Sequence, residues 1–199
     1  MEKRLTNRDL QALETERKVT DMAMKLVREY GYDQVTISQI CNACGVAKGT
    51  FYSYFNSKKD ILIKLTSRFN KELSQLFIYD EDLSAVTLYQ NAVTAYLNYV
   101  KKDGHDFTKS YVKAMIDEEL ATENTKTSIE LQKEFIDKVL SKGIRDGDFQ
   151  LNMSYDDFFE IFSAALMGVL TQWCMRHEID DLITLGQRVL FPIINLMKK

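Results

Sequence analysis

Residues 36–62 read TISQICNACGVAKGTFYSYFNSKKDIL. Thr36 is followed three positions later by Gln39, the pattern of a capping box, and this predicts the start of a helix. Gly45 predicts a tight turn after that helix, because glycine readily adopts the positive φ that such a turn needs. A third helix is predicted over about 47–55. Two short helices joined by a glycine-containing turn form a helix-turn-helix unit.

The packing positions of these two helices carry apolar or small side chains. Counted from Ile37, the positions that face inward hold Ile40, Cys44, Val46, Phe51 and Tyr54. The small Cys41 stands where two crossing helices approach each other closely. Suitable residues at every contact position support the helix-turn-helix interpretation.

Charge is distributed unevenly along the chain, whose formal net charge is −3. Residues 34–59 contain no Asp or Glu, although 29 acids in 199 residues would place about four there. Residues 1–70 carry a net charge of +4, and residues 71–199 carry −7. A basic segment joined to an acidic remainder is typical of a nucleic-acid-binding unit attached to another domain.

Three lysines of the acid-free segment lie at predicted helix starts. Lys48 opens the third helix, and Lys58 and Lys59 lie in the first turn of the fourth. A helix N-terminus disfavours a cation by roughly 0.3–1 kcal/mol, whereas a phosphate bound there reverses the effect. Their occurrence together favours a phosphate-binding surface over three incidental solvated lysines.

The rest of the chain also reads as helical. One proline and eight glycines in 199 residues, and no sustained alternation of β-branched and polar residues, predict an all-α protein. Nine helices are predicted, including a first helix over about 16–30. The helices after the helix-turn-helix unit are placed at about 57–79, 84–101, 107–119, 125–146, 154–175 and 179–197.

No membrane span or signal peptide is expected. The longest apolar run, Ala164 to Leu170, is far shorter than the roughly 18 residues that a span needs. The N-terminal residues are charged and contain no apolar signal-peptide core. Three cysteines, an odd number, suit a reducing compartment. We expect a cytoplasmic protein.

Residues 36–62 resemble the DNA-binding segment of the TetR family of bacterial one-component transcriptional regulators. The shared features are the Thr-capped second helix, the Gly-Val turn, the Gly-Thr-Phe-Tyr core and the Lys-Lys-Asp start of helix four. The resemblance implies a nine-helix TetR-like fold with a DNA-binding domain over 1–56, a helix-four linker over 57–79 and an effector-binding and dimerisation domain over 80–199. It further implies a homodimeric repressor that acts at the nucleoid, binds a pseudo-palindromic double-stranded operator and responds to a small-molecule effector.

The resemblance also assigns residues to the DNA. It implies phosphate contacts from Thr36, Tyr52, Lys58 and Lys59. The groove-facing positions are Ser38, Lys48, Gly49 and Thr50, and Ser53 stands where the family often has an aromatic residue. Tyr54 is either DNA-facing, as in many relatives, or half-buried, as the packing pattern requires.

The last two helices are apolar over more than one face, which indicates burial beyond one chain. The resemblance implies that they form a four-helix dimer interface. The predicted interface residues are Phe158, Phe162, Ala165, Gly168, Val169, Leu182, Val189 and Ile193. A monomer in which they are core helices is the alternative.

Helices five to seven supply apolar and tyrosine side chains to the interior. The resemblance implies that these helices, with helices four and eight, enclose an effector pocket, and its lining suits a lipophilic or aromatic ligand. The predicted lining residues are Tyr89, Val93, Tyr96, Tyr111, Met115, Leu131 and Phe135.

Other chemistry has little support in the sequence. Cys41 and Cys44 have the spacing of a redox pair or half a zinc site, but no second such pair follows, and both already have packing positions. No phosphate loop, nucleophile elbow or catalytic triad is visible, so neither an enzyme nor a cofactor is expected. Two alternatives remain: a regulator controlled by a protein partner or by no effector, and a helical enzyme with an incidental helix-turn-helix.

Overall fold

The computed structural model describes residues 6–116, 123–176 and 181–198, apart from the side chains of residues 62, 65–70, 114–116 and 123–125. Within these ranges the only β-structure is an isolated bridge between Phe149 and Lys198, so the all-α prediction is confirmed. The helices are α1 (Asn7–Tyr30), a 3-10 helix (Tyr32–Gln34), α2 (Ile37–Cys44), α3 (Lys48–Tyr52), α4 (Lys58–Leu76), α5 (Ala85–Asp103), α6 (His105–Ile116), α7 (Glu123–Arg145), α8 (Tyr155–Met175), α9 (Leu182–Leu190) and a second 3-10 helix (Phe191–Met197).

Local capping decides where the first helices begin. Thr6 and Asp9 form a capping box, so α1 begins about three turns before the predicted start near residue 16. Thr36 and Gln39 form the predicted box at the start of α2. Gly45 ends α2 in the left-handed conformation, with φ 68° and ψ 34°, where a side chain would be strained.

The last predicted helix is shorter than expected. It ends at Leu190 instead of continuing as an α-helix to 197, and a 3-10 helix follows. Pro192 explains the change, because proline has no backbone N–H and its ring clashes with the carbonyl four residues earlier. The position of Pro192 in the sequence already predicts that the α-helix ends near this residue.

The buried side chains form two hydrophobic clusters. The larger one joins α5, α6, α7, α8, α9 and the second 3-10 helix with the end of α4. The smaller one, called here the head core, contains Val19, Ala23, Met24, Val27, Val35, Ile40, Cys41, Cys44, Phe51, Phe55, Ile61 and Phe107. Phe107 belongs to α6, so the C-terminal region contributes one aromatic side chain to the packing of the head.

Helix α8 is the one helix among the described residues that is long and apolar enough to cross a membrane, with a mean hydropathy of 1.4. Seven of its side chains are buried in the chain's own core, including Phe158, Leu166 and Leu170. The core helix of a globular protein satisfies the same length and composition test. Packing against α6 and α9 accounts for this apolar character.

Candidate nucleic-acid interface and effector cavity

Helix α3 is held by two aromatic side chains and presents its other side to solvent. Phe51 and Phe55 are fully buried in the head core, and their rings lie 5.1 Å apart. Lys48, Gly49, Tyr52 and Ser53 are exposed, and Thr50 is half-buried. Tyr54 is half-buried and packs on the head core, which agrees with the packing alternative for this residue.

The start of α3 is open to a close approach. Its N-cap residue is Ala47, which offers no side-chain acceptor to the first N–H groups of the helix. A Cβ built on Gly49 would meet no atom of the described residues within 4 Å, and Gly49 does not adopt a positive φ. Neither packing nor backbone conformation therefore requires glycine here, and close contact with a ligand is a sufficient reason for it.

At the start of α2 the polar groups are already paired within the capping box. The Thr36 hydroxyl donates to Gln39 Oε1 at 2.8 Å and accepts from the Gln39 N–H at 3.2 Å. The Thr36 N–H also donates to Gln39 Oε1, at 2.7 Å. The predicted phosphate contact of the Thr36 hydroxyl would therefore compete with the cap. Ser38, in the first turn, is half-buried.

Lys58, in the first turn of α4, is held in a defined position. Its Nζ lies 4.2 Å from the centre of the Tyr32 ring and donates to the Asp33 carbonyl at 3.5 Å. Partial burial lowers the pKa of Lys58, and Asp33 opposes that effect. Burial raises the pKa of Tyr32 to about 12, so this ring stays neutral beneath the ammonium. The charge of Lys58 is therefore pre-positioned beside the head. Lys59 is half-buried.

Polar contacts connect this surface to the C-terminal helices. Asp33 accepts from Lys113 of α6 at 2.5 Å, and this hydrogen bond lowers the pKa of Asp33. Arg28 of α1 forms an ion pair with Asp103, the last residue of α5, whose side chain is buried. The position of the head thus depends on residues of α5 and α6.

A cavity of about 20 Å³ lies in the larger core. The surface that faces it is apolar. Four predicted pocket residues line it: Tyr89, Val93, Tyr96 and Phe135. The lining residues that the prediction did not include are Phe77, Ala92, Gln132, Ile136, Phe162, Leu166 and Leu190. Phe77 lies at the end of α4 and Leu190 at the end of α9. The spacing of apolar residues along each helix does not predict that these two helix ends line one cavity.

The other predicted pocket residues lie elsewhere. Tyr111 lines a second, smaller cavity of about 10 Å³. Leu131 is half-buried and does not line the first cavity. The side chain of Met115 lies outside the described residues. At one edge of the first cavity, the Tyr89 hydroxyl donates to the Leu190 carbonyl at 2.8 Å.

Five of the eight predicted dimer residues are buried inside the chain's own core: Phe158, Phe162, Val169, Leu182 and Ile193. Their apolar character is satisfied without a partner, which corrects the reasoning that placed them at an interface. Ala165, Gly168 and Val189 reach the surface, and a Cβ on Gly168 would meet no atom within 4 Å. Exposed Ile161 and Met175 continue the face of α8 that holds Ala165 and Gly168.

The cysteine pair of α2 is buried and serves packing. Cys41 and Cys44 both belong to the head core. Burial raises the pKa of the Cys44 thiol, which disfavours the reactive thiolate. Among the residues described, no cluster of three or more His, Cys, Asp or Glu side chains could hold a metal ion.

Comparison with known proteins agrees with this geometry. Residues 19–65 match the family model described as bacterial regulatory proteins, tetR family. The chain is 25% identical over 182 residues, 89% of this chain and 92% of the relative, to the Fatty acid metabolism regulator protein of Bacillus subtilis (strain 168). It is 23% identical over 162 residues, 80% of this chain and 75% of the relative, to the HTH-type transcriptional regulator SrpR of Pseudomonas putida.

Solved structures share the fold over nearly the whole chain. The transcriptional regulator FadR from Bacillus subtilis, in complex with stearoyl-CoA, superposes with a TM-score of 0.75 at 22% identity and covers 91% of this chain and 98% of its own. FadR from Thermus thermophilus, a TetR-family repressor in complex with lauroyl-CoA, has a TM-score of 0.67 at 16% identity, with 92% and 95% covered. The helix-turn-helix segment thus matches the tetR family of bacterial regulatory proteins, and the chain as a whole shares its fold with these solved structures.

Proposed function

We propose that this protein is a homodimeric repressor that binds a pseudo-palindromic operator and leaves it when a fatty acyl effector occupies the apolar cavity of the larger core. The main observation in support is a helix-turn-helix head with an exposed α3, attached through buried contacts to a domain that contains an apolar cavity. Such a protein acts on the nucleoid in the cytoplasm.

The proposed DNA contacts fall into two classes. Lys58 and Lys59, with the N–H groups at the start of α2, position the head on phosphates, and such contacts carry no sequence information. Lys48 and Gly49 lie on the exposed side of α3, which enters the major groove, and the exposed Tyr52 reaches phosphate from the same helix. In the assembled dimer, two-fold symmetry places the α3 helices in successive major grooves, roughly 34–36 Å apart.

The proposed dimer contact uses the surface face of α8. Ile161, Ala165, Gly168 and Met175 are separated by four, three and seven residues, so they share one side of the helix. Exposed Val189 extends the apolar surface onto α9. Small residues at the centre of this face allow two copies of α8 to approach closely, and one patch then meets itself across a two-fold axis.

The effector class follows from the cavity. Its facing surface is apolar, and it lies among side chains of five helices or helix ends, so an extended hydrocarbon chain is the chemistry that it suits. The relatives bound to stearoyl-CoA and lauroyl-CoA support the same class. A CoA group would remain outside, since no polar surface faces the cavity.

An aromatic effector is the second candidate. Phe77 and Phe135 stack with ring centres 5.1 Å apart, and Tyr89 meets Phe162 edge to face at 5.9 Å. Such rings can stack on a planar aromatic ligand or meet it edge to face. A structurally similar protein has been solved as the SmeT–triclosan complex, with a TM-score of 0.70 at 16% identity.

The test combines operator selection with an effector panel. Fragments retained by the purified protein from sheared genomic DNA are sequenced, and release of the recovered duplex is followed by fluorescence anisotropy. We expect stearoyl-CoA to release the DNA, with free CoA and choline as inactive controls. Release by triclosan alone would favour the aromatic candidate. Specific binding that no small molecule relieves would favour control by a protein partner or by no effector.

A further inference from the structure

The two cavities of the C-terminal domain lie end to end along one groove between α5 and α8. Ala92 and Val93 of α5 line the first cavity, and Val100 and Asp103 line the second. On α8, Leu166 lines the first cavity and Leu170, one turn later, lines the second. From Ala92 to Asp103 the groove is roughly 16 Å long at 1.5 Å per residue.

Among the described residues, Tyr96 alone lines both cavities. It lies one helical turn from Ala92 and one turn from Val100 on the same face of α5, and its ring is buried. Its side chain therefore forms the partition between the two spaces. A rotation of this one ring would join them, and buried side chains do change rotamer in a protein interior.

The second cavity ends at the residues that hold the head. Phe107 lines it and is also part of the head core. Asp103 lines it and pairs with Arg28 of α1. An occupant of the second cavity would contact both, whereas no residue that lines the first cavity belongs to the head core.

We propose that the second cavity is the far compartment of the effector site, that it takes the distal end of a long acyl chain past Tyr96, and that its occupation is what moves the head. This rests on the proposed fatty acyl effector. A short chain fills only the first cavity and binds without releasing DNA. A long chain displaces Phe107 and Asp103, and only such state-dependent contacts shift a conformational equilibrium.

The first experiment fills one compartment at a time. Val100→Phe blocks the second cavity, and Ala92→Leu, the matched control, blocks the first. Affinities for octanoyl-CoA and stearoyl-CoA are measured by isothermal titration, and DNA release is measured by anisotropy. For Val100→Phe we expect about a tenfold or greater loss of stearoyl-CoA affinity, because several methylenes lose their burial. Octanoyl-CoA affinity should stay unchanged. Ala92→Leu should weaken both ligands.

The second experiment leaves the protein unaltered. Trp173, the only tryptophan of the chain, lies one turn beyond Leu170, and its ring is 5.3 Å from that of His105 on α6. A bromine atom quenches tryptophan fluorescence only at short range. Stearoyl-CoA brominated at its terminal carbon should quench Trp173 strongly, whereas bromine beside the thioester should not.

The outcomes separate the two proposals. Failure of the wild-type protein to bind any acyl-CoA would overturn the proposed effector and this inference with it. Tight binding of stearoyl-CoA with equal losses for both ligands in Val100→Phe, or with equal quenching by the two bromine positions, would overturn the two-compartment site alone. Stearoyl-CoA affinity that Val100→Phe leaves intact would do the same.

Discussion

Arg28 of α1 forms an ion pair with Asp103 at the end of α5, and this pair joins the DNA-binding head to the wall of the second cavity. The Asp103 side chain is 4% exposed, and that of Arg28 is 37% exposed. The carboxylate is thus buried and depends on one guanidinium that still reaches solvent. Substitution of Arg28 therefore tests the contribution of this ion pair to the position of the head and to the stability of the fold.

Replacement of Arg28 by Met should destabilise the fold by about 1–3 kcal/mol, less than for a fully buried pair because Arg28 is partly solvated. Arg17→Met is the matched control, because Arg17 and Asp21 form an exposed pair 3.9 Å apart that should contribute under about 0.5 kcal/mol. Chemical denaturation measures both. Equal effects of the two substitutions would contradict the structural role of the Arg28 contact.

The same variant should show a defined pH dependence. Burial raises the pKa of Asp103, and Arg28 opposes that effect. Without Arg28 the pKa rises further, so the folded state takes up a proton that the unfolded state does not. Stability of the variant relative to wild type should therefore improve as pH falls from about 7 to about 5. A difference that grows over this range would reverse the assigned sign.

Gly49→Ala should separate folding from DNA binding. A methyl group at Gly49 meets no protein atom, and alanine favours a helix by about 1 kcal/mol over glycine, so thermal stability should hold or rise. Operator affinity should fall, because the methyl group would intrude where α3 meets the DNA. The contrasting variant Gly45→Ala places a side chain at φ 68° and should lose stability. Unchanged operator affinity in Gly49→Ala would remove the close-approach argument.

Lysines of the head should differ in what they contribute to binding. Lys58→Ala should weaken specific and random duplexes alike and reduce the slope of log affinity against log salt by about one. Lys48→Ala should also relax base preference. Lys138, exposed on α7, is the control, and its alanine variant should bind as wild type does. If Lys58→Ala and Lys48→Ala lose affinity identically on both duplexes, the division into positioning and reading residues is wrong.

Gly168→Leu should break the dimer and leave the chain folded. No described residue lies within 4 Å of a Cβ built on Gly168, but two-fold symmetry brings the added side chain into the proposed interface twice. Sedimentation should show a monomer with intact helical circular dichroism and weak operator binding. Gly186→Ala is the counterpart, because its Cβ would lie 2.4 Å from Leu97 Cδ1 inside the core, and it should cost about 1–3 kcal/mol of stability. A Gly168→Leu protein that remains a tight dimer would place the interface elsewhere.

The head could be predicted in detail because its signals are local. The Thr36–Gln39 box, the left-handed Gly45 and the burial of Phe51 depend on hydrogen bonds, φ angles and spacings within a few residues. The early start of α1 and the end of α9 were local too. The Thr6–Asp9 capping box determines where α1 begins, and Pro192 determines where α9 ends. A prediction from apolar periodicity alone included neither.

The effector side was predictable in composition and only partly in arrangement. Tyr89, Val93, Tyr96 and Phe135 do line one cavity, but Tyr111 lines another. An apolar stripe indicates that a helix face is buried, but it does not indicate which neighbouring helix or chain covers that face. The fully buried Phe158 and Leu182 therefore looked like interface residues, although the chain's own core covers them.

The sequence by itself determined the helical fold, the capped helix-turn-helix and the basic, acid-free surface, because backbone conformation and charge are set by neighbouring residues. Only the tertiary structure decided that Phe107 of α6 completes the head core, that Asp103 meets Arg28, and that Tyr96 stands between two cavities. These contacts join residues that are far apart in the chain, and the packing of whole helices selects them from many apolar pairings of similar energy.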